Sequence, residues 1–354
     1  MTKLSYHVAL KYPGGVKYRH YQKHMPSLWN NGSDINDWIQ AQLFDEGAKV
    51  ITHYLLWNDQ PPAGFIASTK CGHTKGILMV HSTGIRLLIH SIPKFPERFR
   101  PSDRIISRVS EEEQIFGQSL ICIHLDHLSP ATLRLETNKL TSQIMYMNPN
   151  IIQTSPGMAE HEAYVSQSHL REHSFLPNSL FCTPCVAPFP VVLHVAKPSL
   201  SRENRYCIFD RLVEIYGGPC RVQSWGRPQS LPTKDVSHVS DIRMSIEGTT
   251  KAKGTTTKAK GTTKGTTTKE NDTHYRTTQD HSKWAVSEDP AEISLKWKWT
   301  RWTQQTNRLH WVFIGDMNRM TSQHARGGGG IMIVGDLQLW KAFHELCASV
   351  VREC

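Results

Sequence analysis

Apolar residues recur along this chain with two periods. A helical period opens behind Asp34, a residue suited to capping a helix N-terminus. Ile35, Trp38, Ile39 and Leu43 follow at three- and four-residue spacing and predict a helix over 36–50. The same period returns at the C-terminus, where Leu337, Trp340, Phe343, His344, Cys347 and Val351 share one face behind a second capping aspartate, Asp336. Strand-like runs lie between them: GILMV at 76–80, IRLLI at 85–89, LKWKWTRW at 295–302 and LHWVFIGD at 309–316, rich in β-branched and aromatic residues. Strands and helices interleave in both halves, which predicts an α/β or α+β sandwich.

The first two runs flank His81-Ser82-Thr83-Gly84, so residues 72–91 read as a hairpin closed by a four-residue turn. If Val80 faces Ile85, the same register sets Lys75 opposite His90. Opposed residues project from one face, as do residues two apart, so His73, Lys75 and His90 would cluster. A slip of one residue would move His90 to the other side. The alternative is three solvated polar residues on a hairpin.

Composition changes the picture in three ways. The chain has 354 residues, 38% hydrophobic and 20% charged, enough for one large domain or two similar halves. No apolar run is long enough to span a bilayer. The net charge of +10 invites a nucleic-acid reading. However, six lysines sit in the Thr/Lys/Gly tract at 249–269; ten less six leaves +4 for the remainder. That tract lacks apolar periodicity and reads as a solvated loop inserted between ordered blocks. The opening MTKLSYHVALKYPGG shows no secretory signal. Eight scattered cysteines suit a few long-range disulfides better than a zinc site, and the lone CxxC at Cys182 and Cys185 is a weak metal signal. Asn31 and Asn271 open glycosylation sequons.

A second His-x-Lys occurs in DHSKWAVS, at His281 and Lys283. With 19 histidines, about one such triplet arises by chance, so context has to carry the argument. Cleaving a phosphodiester without metal needs a nucleophile, an acid for the leaving oxygen, and fixed cations. One His-x-Lys supplies half of this; two, brought together, supply all of it.

The paired motifs resemble those of the phospholipase D superfamily, without the usual aspartate downstream of the first lysine. A closer resemblance, over nearly the whole chain, is to the deoxyribonuclease II family. It rests on HVALKYPGG, YLLWNDQPP, GHTKG, IHSIPKFP, GQSLIC, QSWGRP, DHSKWAVS, IGDMNR, RGGGG and LWKAF, in that order. The resemblance implies a phospholipase D-like pseudodimer of two mixed-sheet halves with flanking helices. The first half would span 1–150, a connecting segment 151–190, and the second half 191–354, with the active site between the halves. It implies acid hydrolysis of DNA without metal or cofactor, leaving 3′-phosphate and 5′-hydroxyl ends. The implied catalytic residues are His73, Lys75, His281 and Lys283, with His90 and Asn318 in support; Asp316 is as readily structural as functional. DNA would be held mainly through its backbone, with no membrane contact and the oligomeric state open, a homodimer included.

Relatives carry a signal peptide and are lysosomal or secreted, with a cysteine ahead of the first strand; this chain starts inside that strand. They also carry cysteines where Phe313 and Met332 stand, and joint loss of both suggests one missing disulfide, a difference of roughly 2–5 kcal/mol. Two rival readings stay open: another phospholipase D-type phosphodiesterase acting on lipid or RNA, and a catalytically impaired paralogue that binds DNA or a host partner.

Overall fold

The computed structural model describes residues 3–22, 28–44, 50–156, 158, 178–181, 190–216, 218–224, 236–244, 273–276, 279–289, 291–293 and 307–351. The Thr/Lys/Gly tract, the CxxC pair, the LKWKWTRW run and the Asn271 sequon lie outside these. The first half comprises β1 (Lys3–Lys11), β2 (Tyr18–Gln22), β3 (Asn30–Gly32), α1 (Ile35–Leu43), β4 (Ile51–Asn58), β5 (Lys75–His81), β6 (Gly84–His90), β7 (Phe99–Arg100), β8 (Ile105–Ile106), α2 (Glu111–Gln114), β9 (Gln118–Asp126), α3 (Pro130–Tyr146) and β10 (Ile151–Thr154). The second comprises β11 (Asn178–Phe181), β12 (Val191–Lys197), α4 (Ile208–Tyr216), β13 (Cys220–Gln223), β14 (Val236–Met244), β15 (Thr273–Arg276), β16 (Trp284–Ser287), β17 (Ala291–Ile293), β18 (Asn307–Leu309), β19 (Trp311–Gly315), β20 (Gly328–Val334), α5 (Leu337–Leu346) and β21 (Cys347–Val351).

The strands form two large sheets, and the fold is the expected α+β sandwich. One sheet runs β10-β4-β5-β6-β9-β1-β2-β3, the other β11-β12-β20-β19-β16-β13-β14-β15, with β21 also on β14. A single strand order is repeated in both. The path β4-β5-β6-β9-β1 matches β13-β16-β19-β20-β12, antiparallel at every step. A helix precedes the first strand of each path, α1 or α4, and a helix follows the fourth, α3 or α5.

Three cores explain the continuous apolar runs. The inner faces of the two sheets share one core with α3 and α5, including Ile89, Ile121, Ile144, Val312, Ile331 and Phe343. α1 covers the outer face of the first sheet through Ile35, Trp38, Ile39 and Leu43. α4 covers the outer face of the second through Phe209, Leu212 and Tyr216. Strands covered on both sides need no polar alternation, and β5 and β6 are buried throughout. Their register is the expected one, Val80 opposite Ile85 and Gly76 opposite Ile89. The ladder closes at His81 and Gly84, leaving Ser82 and Thr83 at the tip.

Two expected helices are shorter than their periodicity. Asp34 does cap α1, its carboxylate accepting from Asn36 N–H, but the helix stops at Leu43. Phe44 leaves helical geometry and stacks on Phe99 with ring centroids 6.0 Å apart. At the C-terminus the helix ends at Leu346, and Cys347–Val351 pair with β14 instead. The β-branched Val350 and Val351 favour that ladder over a last helical turn.

The halves are joined by polar and aromatic contacts as well as by the shared core. Asp336 caps α5 by accepting from Leu339 N–H at 2.9 Å, and the hydroxyls of Tyr6 and Tyr21 donate to the same carboxylate. Burial and this carboxylate push both phenols far above their ordinary range. Trp29 packs edge-on against Phe343 and donates to the Ala342 carbonyl.

Cys71, Cys207, Cys220 and Cys347 are free thiols, so the expectation of long-range disulfides fails at these four positions. Cys207 and Cys220 sit buried inside the α4 core. Phe313 and Met332 are direct cross-strand partners on β19 and β20, both fully buried. Phe313 also meets Phe209 edge-on at 6.0 Å. Replacing Phe313 with Ala should cost about 3–5 kcal/mol of unfolding free energy in urea titration; a loss below about 1 kcal/mol would show that this pair carries little of the packing.

Candidate active site

The two His-x-Lys segments enter their sheets at equivalent places, just ahead of or at the start of β5 and β16. Each is fastened to the other half. The His73 N–H donates to the Gly327 carbonyl at 2.7 Å, and the His281 N–H to the Gly117 carbonyl at 2.8 Å. The Lys75 N–H donates to Asp316 Oδ2 at 3.0 Å, and the Lys283 N–H to Ser119 Oγ at 3.1 Å. Close approach requires the glycines. A Cβ on Gly117 would lie 2.5 Å from Asp280 Oδ1, and one on Gly327 would lie 2.1 Å from the Met147 carbonyl oxygen.

The structure brings His73, Lys75, His90, His281 and Lys283 into one electrostatic neighbourhood. Lys283 lowers the proton affinity of His73 and His90, and Lys75 lowers that of His281. His73 is buried, and burial, then Lys75, Lys283 and Arg326, hold it well below the ordinary imidazole range. Asp59 stands 3.9 Å from its Nδ1 but is already engaged. It accepts from Lys75 Nζ at 2.5 Å and from Arg326 at 3.1 Å, and these cations keep it ionised despite burial. His90 is pushed down to about 3 by burial and Lys75; its Nδ1 accepts from Ile92 N–H at 3.2 Å.

His281 has different neighbours. Its ring stacks on Phe116 with centroids 4.0 Å apart and planes 12° apart. Its Nδ1 lies 3.8 Å from Glu113 Oε2. Burial, then Lys283, Lys75 and Lys11, push it down to about 3. Burial raises the Glu113 carboxyl. Lys283 itself is pushed down to about 7 by burial and Lys75, and its ammonium donates to the His281 carbonyl. It is therefore charged in acid and loses its charge as pH rises through neutrality.

The surrounding shell is polar and buried. Asp316 accepts from Lys75 N–H and Gly329 N–H, and burial raises it to about 6; its position is that of a brace between the halves. Asp280, also raised to about 6 by burial, accepts from the N–H and hydroxyl of Ser282. Asn318 is buried two residues beyond Asp316, where its N–H donates to Gln323 Oε1 at 2.7 Å. Among the described residues no group of three His, Cys, Asp or Glu side chains is arranged to hold a metal ion.

Sequence reading missed Asp59, which its own sheet sets beside Lys75, and Glu113, Phe116, Ser119 and Arg326, whose proximity depends on tertiary contacts between the halves. It also missed Lys11 and Lys197, which end the equivalent strands β1 and β12. Lys11 donates to the carbonyls of Tyr12, Gly15 and Gln114, and Lys197 to those of His324 and Arg326. A lysine closing an apolar run in HVALK and again in LHVAK was the available signal.

A family model described as Deoxyribonuclease II matches residues 3–353. The chain is 26% identical to deoxyribonuclease-2-alpha of Bos taurus, over 94% of this chain and 80% of the relative. It is 25% identical to deoxyribonuclease-2-beta of Homo sapiens, over 83% and 69%. It is 25% identical to a putative deoxyribonuclease-2 of Burkholderia pseudomallei (strain 1710b), over 94% and 83%. These likenesses define a hydrolase of the nuclease class. The chain belongs to the deoxyribonuclease II family, and it is a deoxyribonuclease.

The buried histidines set a pH dependence of stability. A folded value below the free value near 6.5 gives stability that is complete above 6.5 and is lost as pH falls toward the folded value. His90 and His281, at about 3, and His194, at about 4, act this way. Asp280 and Asp316 act oppositely, adding stability as pH falls through about 6. The lowered histidines, His73 and His124 among them, outnumber the raised carboxyls Glu113, Asp280 and Asp316, which predicts a lower unfolding free energy at pH 4.5 than at pH 7 in urea titrations. His194→Gln should flatten that slope; an unchanged slope would remove His194 from the account.

Proposed function

We propose that the chain hydrolyses DNA phosphodiesters in acid, without a metal ion, by double displacement through a phosphohistidine. The observation that carries this reading is the pair of His-x-Lys segments, each held by a main-chain hydrogen bond from the opposite half. The repeated strand order supports the phospholipase D-like pseudodimer expected from the motifs. In the first step the neutral Nε2 of His73 attacks phosphorus, forming a P–N bond. The P–O5′ bond breaks and His281 gives its proton to O5′, releasing a 5′-hydroxyl end. Water then attacks phosphorus, passes a proton to His281, and the P–N bond breaks to leave a 3′-phosphate. Lys75, Lys283 and Arg326 supply positive charge for the developing phosphorane oxygens. His90 and Asn318 take supporting places beside the phosphate, and an acidic lysosomal or secretory setting suits the scheme.

The asymmetry of the two histidines supports these roles. His73 lies among cations, and its nearby carboxylate is committed to Lys75 and Arg326, so it stays neutral and nucleophilic in acid. Acid also keeps Lys283 charged, so the rate should fall as pH rises through about 7. Plasmid nicking in acid buffer should persist undiminished in EDTA; strict dependence on added magnesium or calcium would end the metal-free reading. His73→Ala should abolish an acid-labile phosphoenzyme trapped with labelled substrate. His281→Ala should slow turnover of DNA by about 10²–10⁴-fold yet spare a nitrophenyl ester, whose leaving group needs no acid. Phosphoenzyme in His73→Ala but not in His281→Ala would reverse the assignment.

A further inference from the structure

We infer, on the roles given above to His73 and His281, that Lys11 and Lys197 are positioning residues. Each clamps the main-chain segment that holds the catalytic histidine of the opposite half. The two lysines occupy one place in the repeated strand order. Lys11 ends β1 opposite Gln118, the first residue of β9, and Lys197 ends β12 opposite Gly328, the first residue of β20. Both are fully buried. Lys11 Nζ donates at 2.8 Å to the carbonyl of Gln114, three residues before Gly117. Lys197 Nζ donates at 2.9 Å to the carbonyl of His324, three residues before Gly327, and also to that of Arg326. The glycines that end these two segments are the ones whose carbonyls accept the N–H of His281 and of His73.

Each ammonium is oriented by its other contacts. Lys11 also donates to the carbonyls of Tyr12 and Gly15, both at 2.8 Å, and the Gly15 N–H returns a bond to the Gln114 carbonyl. Lys197 stands 5.0 Å from the centroid of the Tyr206 ring, a third contact for its charge. An ammonium has three N–H groups, so three contacts leave little freedom to rotate. The clamps then act across the halves. Lys11 fixes 114–117 in the first half, and Gly117 grips the second half from both sides, donating to the Gln279 carbonyl and accepting from His281. Lys197 fixes 324–327 in the second half. There Gly327 accepts from His73, and Arg326 donates to the carbonyls of Cys71 and Gly72. Packing of an apolar side chain would leave these carbonyls unpaired. A buried cation pins the backbone itself, which is what a main-chain contact to a histidine requires.

The test uses the full-length protein and its Lys11→Met, Lys197→Met, Lys11→Arg and Lys197→Arg variants, beside His73→Ala and His281→Ala. Amide hydrogen exchange is followed by mass spectrometry in peptides spanning His73 and His281. Lys11→Met should speed exchange about 10-fold around His281 and leave the His73 peptide unchanged, and Lys197→Met should do the reverse. Kinetics on a short DNA duplex and a nitrophenyl ester of thymidine phosphate should divide the same way. Lys197→Met, by displacing the nucleophile, should lower kcat about 10- to 100-fold on both substrates; Lys11→Met should do so on DNA alone, with KM little changed in either. The arginine variants keep a charge and several donors, so they should lose less in the same crosswise pattern. They decide the outcome if a methionine variant does not fold. Equal loosening of both peptides by one variant, or exchange unchanged in both, would make the lysines merely structural and overturn the proposal. Crosswise exchange with unaltered kcat would overturn it as well. If His281→Ala loses as much on the ester as on DNA while exchange and the DNA rate respond crosswise, the general-acid reading falls and the clamps stand.

Discussion

Two amide-to-carbonyl hydrogen bonds, His73 to Gly327 and His281 to Gly117, are the constraint on which the site depends. Each is worth only about 1 kcal/mol net, but leaving a buried N–H unpaired costs more, so the motifs have no comfortable position apart from the opposite half. The same pairing fixes which side chains can be small. Gly117 and Gly327 must lack a Cβ so that Asp280 and the α3 terminus can come close. Neither half holds both His-x-Lys segments, and the inner faces of the two sheets share one core.

Around that constraint the protein buries an unusual amount of charge. Lys11, Lys75, Lys197 and Lys283 are all nearly inaccessible. Burying an unpaired ammonium is strongly unfavourable. Lys11 and Lys197 meet this by facing two or three backbone carbonyls each, and burial still lowers both to about 8. Lys75 meets it with Asp59, whereas Lys283 among the described residues has a carbonyl and distant carboxylates and falls furthest. The lysine with the weakest compensation is the one beside His281, so acidity preserves the charge there without a dedicated counter-ion.

Much of this was legible in the chain. The hairpin register followed from two apolar runs and a turn, and the ladder keeps it, with Val80 opposite Ile85 and Gly76 opposite Ile89. The helix caps at Asp34 and Asp336 were readable because capping is local. Helix ends were not: Phe44 and Cys347–Val351 obey partners far away in sequence, Phe99 and β14. The site was half legible for the same reason. Residues within a motif declare themselves by spacing, whereas Glu113, Phe116 and Arg326 matter only because the second sheet folds against the first. The cysteines misled because scattered spacing says nothing about whether two thiols meet in space.

The repeated strand order places residues 116 and 326 at corresponding positions, each just before the glycine whose carbonyl holds a histidine. One is phenylalanine and the other arginine. A two-fold symmetric cleft has no direction, whereas a DNA strand does, and it would enter such a cleft equally well either way round. An aromatic face on one side and a guanidinium on the other give the cleft a head and a tail. Under the proposed roles, that asymmetry would decide which ester oxygen departs and which end of the break keeps the phosphate.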